Sequence, residues 1–236
     1  MSKSDYDLIV IGCGVSGFTA ATMAAGLGKR VLVVEKESSA RDAALQGGLP
    51  SKALIRAAVA AETIQTGRKY GLGYSPPEID IEGVLPKVRS VISEMTVFTK
   101  AGRLLQLGAD YITGRASFID RHRISVGNRI VSARKLIIAT GARPATLDVL
   151  EKSGAGYLTS DTLFHLEHLP KTIMVVGAGP TGVEIALALR LLGLEVTVVD
   201  SAESILSSED REVAAHVADF LKTRASLFTP VTRLRD

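Results

Sequence analysis

Two short glycine-rich segments carry the residues whose types and spacing could do chemistry. They run from Gly12 to Gly17 and from Gly177 to Gly182, and both follow the pattern G-x-G-x-x-G. Each comes directly after an apolar run, and an acid follows 23 positions after the first glycine: Glu35 in the first copy, Asp200 in the second. A buried strand, a tight turn, a helix start and an acid at the next strand's tip make a dinucleotide-binding unit. The spacing therefore predicts two nucleotide sites.

Each residue type in the first copy has its own physical reason. Gly12 allows the tight turn, Gly14 lets a pyrophosphate approach the backbone, and Gly17 lets the helix pack closely on the sheet. Ser16 and the free N–H groups of the helix start face the phosphates, and Glu35 can accept both hydroxyls of a ribose. The corresponding residues of the second copy are Gly177, Gly179, Gly182 and Asp200.

A glycine-rich turn in some other α/β protein is the alternative, but strand, helix and acid agree in both copies. Two nucleotide sites imply two cofactors, and the simplest pair is a flavin with a nicotinamide.

The elements around these turns follow from hydrophobic periodicity and from start and stop residues. In the first copy we predict a strand at 8–11, a helix at 15–27 that ends at Gly28, and a strand at 31–34. In the second we predict a strand at 172–176, a helix at 183–192 and a strand at 195–199. Between them we predict a helix after Pro50 and Ser51, and a second helix capped by Asp80. Further strands are predicted at 109–114, 116–120, 123–126, 129–132 and 135–139.

The remaining segments carry weaker signals. Gly127 and Asn128 are typical of a hairpin turn. The segment 148–170 is interpreted as a linker with a short helical piece near Thr162. A helix is predicted at 208–224 and a possible strand at 227–231.

Composition excludes few classes of protein. The chain has 236 residues, 46% of them hydrophobic and 22% charged, with a net charge of +3. Basic residues gather in one polar strand region without interleaved aromatic residues, so we interpret them as a solvated face and predict no nucleic-acid partner. They are Arg115, Arg121, His122, Arg123 and Arg129.

Cysteine usage and hydropathy bear on location. Cys13 is the only cysteine, so no disulfide can form within the chain, which fits a reducing compartment. We interpret Cys13 as a small buried residue rather than a reactive thiol. We find no membrane span, signal peptide or metal-binding motif in the sequence, so we expect a cytoplasmic protein without a metal site.

The chain resembles the N-terminal half of the flavoprotein disulfide reductases, the group of dihydrolipoamide dehydrogenase, glutathione reductase, mercuric reductase and soluble transhydrogenase. The matching stretches are 12–35, 50–54 (Pro-Ser-Lys-Ala-Leu), 139–141 (Ala-Thr-Gly) and 177–200. The resemblance implies that FAD is held by the first fingerprint with Thr140 and Gly141, and NAD(P)H by the second. It also implies that Ser51 and Lys52 lie at the flavin and that Lys52 pairs with Glu184.

A lysine beside the flavin makes physical sense, because a cation stabilises the negative charge that hydride delivery leaves there. An acid such as Glu184 would keep that lysine oriented and charged. Without the resemblance, Lys52 and Glu184 are ordinary residues of helix surfaces.

Departures from the family pattern reduce the number of reactions that we expect of this chain. Counted back from Pro50, the two family cysteines fall at Ala43 and Gly48, so thiol–disulfide exchange has no partners here. The family's later FAD segment and C-terminal dimerisation domain have no counterpart, so we expect no family-type homodimer. Asp200 has no cation among the three residues after it, so we expect NAD to be preferred over NADP.

The fold prediction is α/β, with an FAD-binding Rossmann-like domain (1–150) that carries an antiparallel β-flap. A partial NAD(P)-binding Rossmann-like domain (151–236) follows, and we expect a fragment or a truncated product. The first functional hypothesis is an FAD-dependent oxidoreductase that takes hydride from NAD(P)H and passes electrons to a small non-disulfide acceptor. The alternatives are a nucleotide-binding remnant without turnover and a flavin-free NAD-dependent dehydrogenase.

Overall fold

The computed structural model of the protein describes residues 4–36, 48–73, 78–96 and 101–223. These residues form two compact units: one contains the described residues of segments 1–47 and 92–143, and the other contains those of segments 48–91 and 144–236. The segment 48–91 thus groups with the C-terminal part of the chain. The predicted boundary near residue 150 stays a prediction.

The strands and helices follow one another in mixed order. The strands are β1 Tyr6–Ile11, β2 Val31–Glu35, β3 Asp110–Thr113, β4 Ala116–Phe118, β5 Arg123–Val126, β6 Arg129–Ile138, β7 Thr172–Val176 and β8 Glu195–Val199. The α-helices are α1 Val15–Gly26, α2 Gly48–Thr66, α3 Ile81–Thr96, α4 Ala101–Gln106, α5 Asp148–Lys152, α6 Pro180–Leu191 and α7 Arg211–Lys222. Short 3-10 helices cover Gly67–Tyr70 and Leu163–His165. The predicted α/β fold class is confirmed.

The first unit is built on a six-stranded sheet in the order β3-β2-β1-β6-β5-β4. Strand β1 is central and runs parallel to both neighbours, with Val10 opposite Val33 of β2 and Ile137 of β6. Strands β4, β5 and the first part of β6 pair antiparallel and form the predicted flap. The hairpin between β5 and β6 turns at Gly127, whose φ of +57° suits glycine.

One strand prediction was wrong in this unit. We expected two separate strands at 129–132 and 135–139, but β6 is continuous from Arg129 to Ile138. The strand changes partner without breaking: Ser132 still pairs with Arg123 of β5, and Ala133 already pairs with Tyr6 of β1. Ala133 is fully buried at this junction, so the polar residues around it do not interrupt the strand.

Alternating residues of β1 and β2 divide the first unit's core between the two faces of the sheet. On one face Ile9, Ile11, Leu32 and Val34 pack with residues of the flap, including Ile124. On the other face Val10, Val31 and Val33 pack with Ala21 of α1 and Leu104 of α4. Helix α4 was not predicted, since six residues are too short for a clear helical period.

The second unit holds a parallel pair, β7 and β8, with Ile173 opposite Val196. Both strands agree with the predicted bounds. Helix α2 packs against α6, and their buried residues include Leu54 and Ala58 of α2 and Ala186 and Leu189 of α6.

Two further predictions for this unit need correction. Helix α5 lies in the segment predicted to be a linker. Helix α7 is shorter than predicted, because the Asp210 side chain caps it by accepting hydrogen bonds from the N–H groups of Glu212 (3.0 Å) and Val213 (3.1 Å). The possible strand at 227–231 lies outside the described residues. No helix in the described part of the chain is long and apolar enough to cross a membrane.

Candidate functional site

The first glycine-rich turn begins where β1 ends. Gly12 has φ +99°, a conformation that side chains rarely adopt, and its N–H donates to the carbonyl of Val34 at 2.8 Å. A Cβ atom on Gly12 would overlap the carbonyl oxygen of Ala139, at the end of β6. A Cβ on Gly17 would overlap the carbonyl oxygen of Gly12 itself. Both positions therefore require glycine on steric grounds.

Gly14 differs from these two glycines because nothing lies within 4 Å of the place where its Cβ would be. The space beside its backbone is open, as close approach of a pyrophosphate requires. Gly14 is also the N-cap of α1, and no side chain caps this helix start. Ser16 lies exposed in the first turn. The open glycine and the uncapped helix start fit a bound phosphate.

Glu35 lies at the end of β2, next to the same turn. Its Oε2 accepts a hydrogen bond from the backbone N–H of Cys13 at 2.5 Å, and its Oε1 accepts from the N–H of Lys36 at 2.7 Å. The carboxylate is therefore fixed beside the second residue of the glycine pattern. From this place it can accept hydroxyl groups of a ribose whose phosphates lie on the turn.

The second glycine-rich turn repeats these features. Gly177 has φ +108°, and its N–H donates to the carbonyl of Val199 at 2.8 Å. A Cβ on Gly182 would overlap the Gly177 carbonyl oxygen, and Gly179 has open space beside it and begins an uncapped α6. The N–H of Ala178 donates to Oδ2 of Asp200 at 2.5 Å. Thus the same bond joins turn and acid in both copies, across 22 residues each time.

The electrostatics of Asp200 favour its charged form. Partial burial is the largest influence and by itself raises the pKa. Hydrogen bonds from the backbone N–H groups of Ala178 and Ala202, together with donors on Ser201, outweigh it and lower the pKa below 3.8. Asp200 is therefore a carboxylate at neutral pH and available as a hydrogen-bond acceptor.

Thr140 and Gly141 follow β6 and lie beside the first turn. The Thr140 Cα lies 3.0 Å from where a Cβ on Gly12 would be. Gly141 has φ +70°, and both residues are exposed. The fold thus brings the first glycine pattern, Glu35 and the Ala-Thr-Gly segment together in one unit.

Cys13 is packed in the core of the first unit and is not a reactive thiol. Burial, with a smaller effect of the Glu35 charge, raises its pKa to about 11. Burial likewise raises the pKa of the neighbouring Tyr111 to about 12, with Cys13 and Glu35 adding to the effect. Both groups remain protonated at neutral pH, as the interpretation of Cys13 as a small buried residue requires.

Ser51, Lys52 and Glu184 lie in the second unit, on the packed helices α2 and α6. Ser51 is buried, and its hydroxyl donates to the carbonyl of Gly48 at 3.1 Å. Lys52 and Glu184 are both exposed, and no ion pair between these two described residues is present. Their roles at a flavin stay predictions.

Sequence reasoning missed two contacts of these turns. One is the bond between each strand-end acid and the second residue of the glycine pattern; the equal spacing of the two copies was the available signal. The other is the close packing of Ala139 on Gly12, which depends on the pairing of β6 with β1 and has no local signal.

Comparison with known proteins gives one family. The model of the family described as Pyridine nucleotide-disulphide oxidoreductase matches residues 6–225. The chain is 32% identical to dihydrolipoyl dehydrogenase of Bacillus subtilis (strain 168), over 95% of this chain and 50% of that protein. It is 30% identical to mercuric reductase of Staphylococcus aureus, over 97% of this chain and 42% of that protein.

A solved structure agrees with these relatives. It is the Cu(II) complex of a mutant of RclA, a HOCl-induced flavoprotein disulfide reductase from Escherichia coli, with 25% identity and a TM-score of 0.72. The match covers 96% of this chain and 49% of that one. The chain thus spans about half the length of the curated relatives that it matches.

Proposed function

The chain belongs to the Pyridine nucleotide-disulphide oxidoreductase family, and we propose that it functions as an FAD-dependent oxidoreductase. In this proposal hydride comes from NAD(P)H, with NADH preferred, and electrons pass to a small non-disulfide acceptor. The observation that carries the proposal is the repeated turn, in which an open glycine, an uncapped helix start and a fixed acid recur with the same geometry.

FAD is assigned to the first unit, where the turn, Glu35, Thr140 and Gly141 lie together. The N–H groups at the start of α1 would hold the pyrophosphate, and the Glu35 carboxylate would accept the ribose hydroxyls. Bound FAD and NAD(P)H would together supply hydride transfer and electron relay, the chemistry that protein side chains lack.

NADH is assigned to the second unit. The Asp200 carboxylate, kept ionised by its backbone donors, would accept the ribose 2′- and 3′-hydroxyls. A 2′-phosphate at that place would meet a second negative charge, and none of residues 201–203 is basic. This arrangement supports a preference for NADH over NADPH.

The non-disulfide acceptor follows from the residues at the family's cysteine positions. Residue 48 is glycine, and residue 43, which lies outside the described residues, is alanine. Neither can form a disulfide or attack one, so oxidised glutathione, lipoamide and mercuric ion are excluded from the proposed substrates. Lys52, with Glu184, remains the proposed cation for charge that develops on the flavin.

The alternatives remain distinct from this proposal. A nucleotide-binding remnant would bind both cofactors without turnover, and a flavin-free dehydrogenase would bind NADH but not FAD. The second glycine pattern argues against the flavin-free form, since a dehydrogenase needs one such site. A single cysteine fits a cytoplasmic setting.

A crossed pair of variants tests the assignment of the cofactors. We expect Glu35→Ala to weaken FAD binding about tenfold without changing NADH binding, because about 1.4 kcal/mol of hydrogen bonding is lost at one site. We expect Asp200→Ala to weaken NADH binding without changing FAD binding, and to narrow the gap between NADH and NADPH. Titration calorimetry with each nucleotide, on wild type and both variants, measures these affinities.

Two results would contradict the proposal. Wild type that binds no FAD at saturating concentration would favour a flavin-free protein. A preference for NADPH, or an unchanged nucleotide ratio in Asp200→Ala, would remove Asp200 from its role. Anaerobic bleaching of bound FAD by NADH then separates an active protein from a remnant that binds both cofactors without reaction.

A further inference from the structure

A surface cavity of about 930 Å³ lies in the first unit at the N-terminal end of β1. Four parts of the chain form its walls, and three of them are the start of β1 with Asp7, the turn after α1 with Lys29, and the flap turn that leads to β5. Strand β6 contributes residues of its middle part, where it passes from β5 to β1. The volume is in the range of small-molecule sites.

Basic residues make up half of the residues that line this cavity, which we call the basic cavity. They come from three separate segments of the chain: Lys29, the flap residues Arg121, His122 and Arg123, and the β6 residues Arg134 and Lys135. From the sequence we interpreted the basic residues of the flap as a solvated face. The fold changes this interpretation, because it brings Lys29, Arg134 and Lys135 to the same cavity.

The two carboxylates of the lining already have partners. Asp7 accepts a hydrogen bond from the Arg30 N–H at 3.0 Å and lies 3.7 Å from the Arg30 guanidinium. Asp120 accepts from the N–H groups of His122 and Arg123, both at 2.8 Å, and from Nε of Arg123 at 2.7 Å. Hydrogen bonds from the backbone N–H groups of Arg30 and His122, respectively, are the main reason that both pKa values are lowered. Both carboxylates are thus ionised and already accept hydrogen bonds from neighbouring residues.

Four exposed cations of the lining, Lys29, Arg121, Arg134 and Lys135, make no side-chain hydrogen bond or contact-distance ion pair within the described residues. The Asp7 carboxylate, whose closest partner is Arg30, attracts Lys29 and Arg134 only at longer range. Four positive charges around one cavity repel each other and attract a ligand with several negative charges.

The flap turn is held in place before any ligand binds. The Asp120 side chain fixes the turn through its three hydrogen bonds, and the His122 Nδ1 donates to the carbonyl of Ala133 on β6 at 3.2 Å. Because the turn is ordered by these bonds, binding costs less conformational entropy than it would at a free loop.

From these observations we propose that the basic cavity binds a polyphosphate group, either inorganic or as the phosphate chain of a nucleotide. One guanidinium group can donate two hydrogen bonds to the oxygens of one phosphate, and an ammonium group adds a compact positive charge. The side chains of Arg121, Arg134, Lys29 and Lys135 therefore suit a group with three or four negative charges. The cavity is separate from the phosphate turn of the first fingerprint, since Asp7 and Gly12 lie at opposite ends of β1, roughly 16 Å apart in an extended strand.

Calorimetric titration of the full chain with inorganic triphosphate tests this proposal. FAD and NADH are present at saturation, so that neither glycine-rich turn is available to the probe. We expect one triphosphate per chain, with at least tenfold weaker binding in Arg121→Ala/Lys135→Ala. The matched control is Arg115→Ala/Arg129→Ala, which removes two charges outside the cavity and should change the affinity less than twofold.

Three results would overturn the proposal: no saturable binding to wild type, equal weakening in both double variants, or no weakening in either. Equal weakening would indicate attraction by net charge alone. Lys29→Gln, a change of one exposed side chain, should weaken binding about threefold and replaces the double variant if that protein fails to fold.

The source of the phosphate is tested with ATP. Binding of ATP and triphosphate with equal affinity points to the phosphate chain alone, whereas tighter binding of ATP points to a nucleotide. FAD affinity, measured separately, should be the same in wild type and in the cavity variants. If wild type bound no FAD, the proposed function would be contradicted. The basic cavity would still be tested by the difference between the cavity variants and the control variant, because neither pair of substitutions lies at a glycine-rich turn.

Discussion

The two glycine-rich turns have the same local geometry in different surroundings. Strand β1 lies between β2 and β6, and Ile9 in its middle is fully buried. Strand β7 pairs with β8 alone among the described strands, and Met174, which occupies the corresponding position, is 58% exposed. The difference shows that the glycine pattern sets the turn, whereas neighbouring strands set the burial of the strand before it.

The first glycine of each turn shows the same contrast at atomic scale. Gly12 and Gly177 share a positive φ and the same hydrogen bond to the neighbouring strand. A Cβ on Gly12 would meet Ala139, which directly follows β6, but nothing lies within 4 Å of the Cβ position at Gly177. At Gly12, glycine is therefore required both by the backbone conformation and by the close approach of Ala139. At Gly177 it is required by the backbone conformation alone.

The largest expected difference lies in the strands themselves. We expect Ile9→Ala to lower the free energy of unfolding of the first unit by about 2–5 kcal/mol, because it leaves a cavity in a packed core. We expect Met174→Ala to cost the second unit less than about 0.5 kcal/mol, because the side chain is largely exposed. Denaturant-dependent hydrogen exchange of the β1 and β7 amides measures each unit separately.

The contrast between the two strands would be contradicted if Ile9→Ala and Met174→Ala lowered the free energy of unfolding by the same amount. Equal costs would mean that Met174 is covered in solution and that the surroundings of the two turns do not differ. Thr172→Ala, a change at another exposed position of β7, is the control for Met174→Ala.

The first glycines give the next largest difference. We expect Gly12→Ala to cost about 2–5 kcal/mol, since backbone strain of about 1–3 kcal/mol adds to the overlap with Ala139. Gly177→Ala should cost only the strain, about 1–3 kcal/mol. Urea unfolding followed at each unit by hydrogen exchange gives both values.

The last glycines of the two patterns, Gly17 and Gly182, provide a reference for the comparison of Gly12 with Gly177. Cβ atoms on Gly17 and Gly182 would both overlap a carbonyl oxygen of their own turn, so the two Ala substitutions should cost similar amounts, about 1–3 kcal/mol each. If Gly182→Ala were much milder than Gly17→Ala, the second turn would be looser as a whole, and the Gly177 result would not report on the missing neighbour.

The smallest effect concerns acid stability. The folded pKa of Asp200 is lowered, so its contribution is fully present above about pH 4 and is lost as the pH falls through the folded value. Asp200→Asn should lower the stability of the second unit at pH 7 by less than about 1 kcal/mol, because the carboxylate is partly exposed. The variant's unfolding temperature should then vary less than that of wild type between pH 4 and pH 2.5.

The control for this measurement is Asp148→Asn, which changes an exposed acid on α5. If Asp200→Asn retained the full wild-type loss of stability below pH 4, protonation of Asp200 would not be the source of that loss.

Sequence reasoning was most successful where the signal is local. Strands β7 and β8 and helix α1 agree with their predicted bounds closely, because apolar runs and terminal glycines mark them directly. It failed for α4 and α5, whose few residues carry no clear period, and at the junction of β6, where Ala133 is buried only through its pairing with β1. Pairing between distant strands leaves no mark in the residues of one strand.

The candidate sites also include features that the local sequence predicts and features that depend on the fold. Glu35 and Asp200 were predicted from spacing, and their bonds to Cys13 and Ala178 follow from a 22-residue separation that any such unit imposes. The basic cavity could not be predicted, since Lys29, Arg121 and Lys135 come from segments that only the sheet brings together.

The sequence by itself determined the two glycine-rich turns, the acids that follow them and the absence of a cysteine pair, because each depends on residues close together in the chain. Only the tertiary structure decided that β1 is buried whereas β7 is largely exposed, that Ala139 packs on Gly12, and that cations from three segments line one cavity. The physical reason is that hydrogen bonding between neighbouring residues is set by local backbone conformation. Burial and the summation of charge depend instead on which distant segments the sheet places side by side.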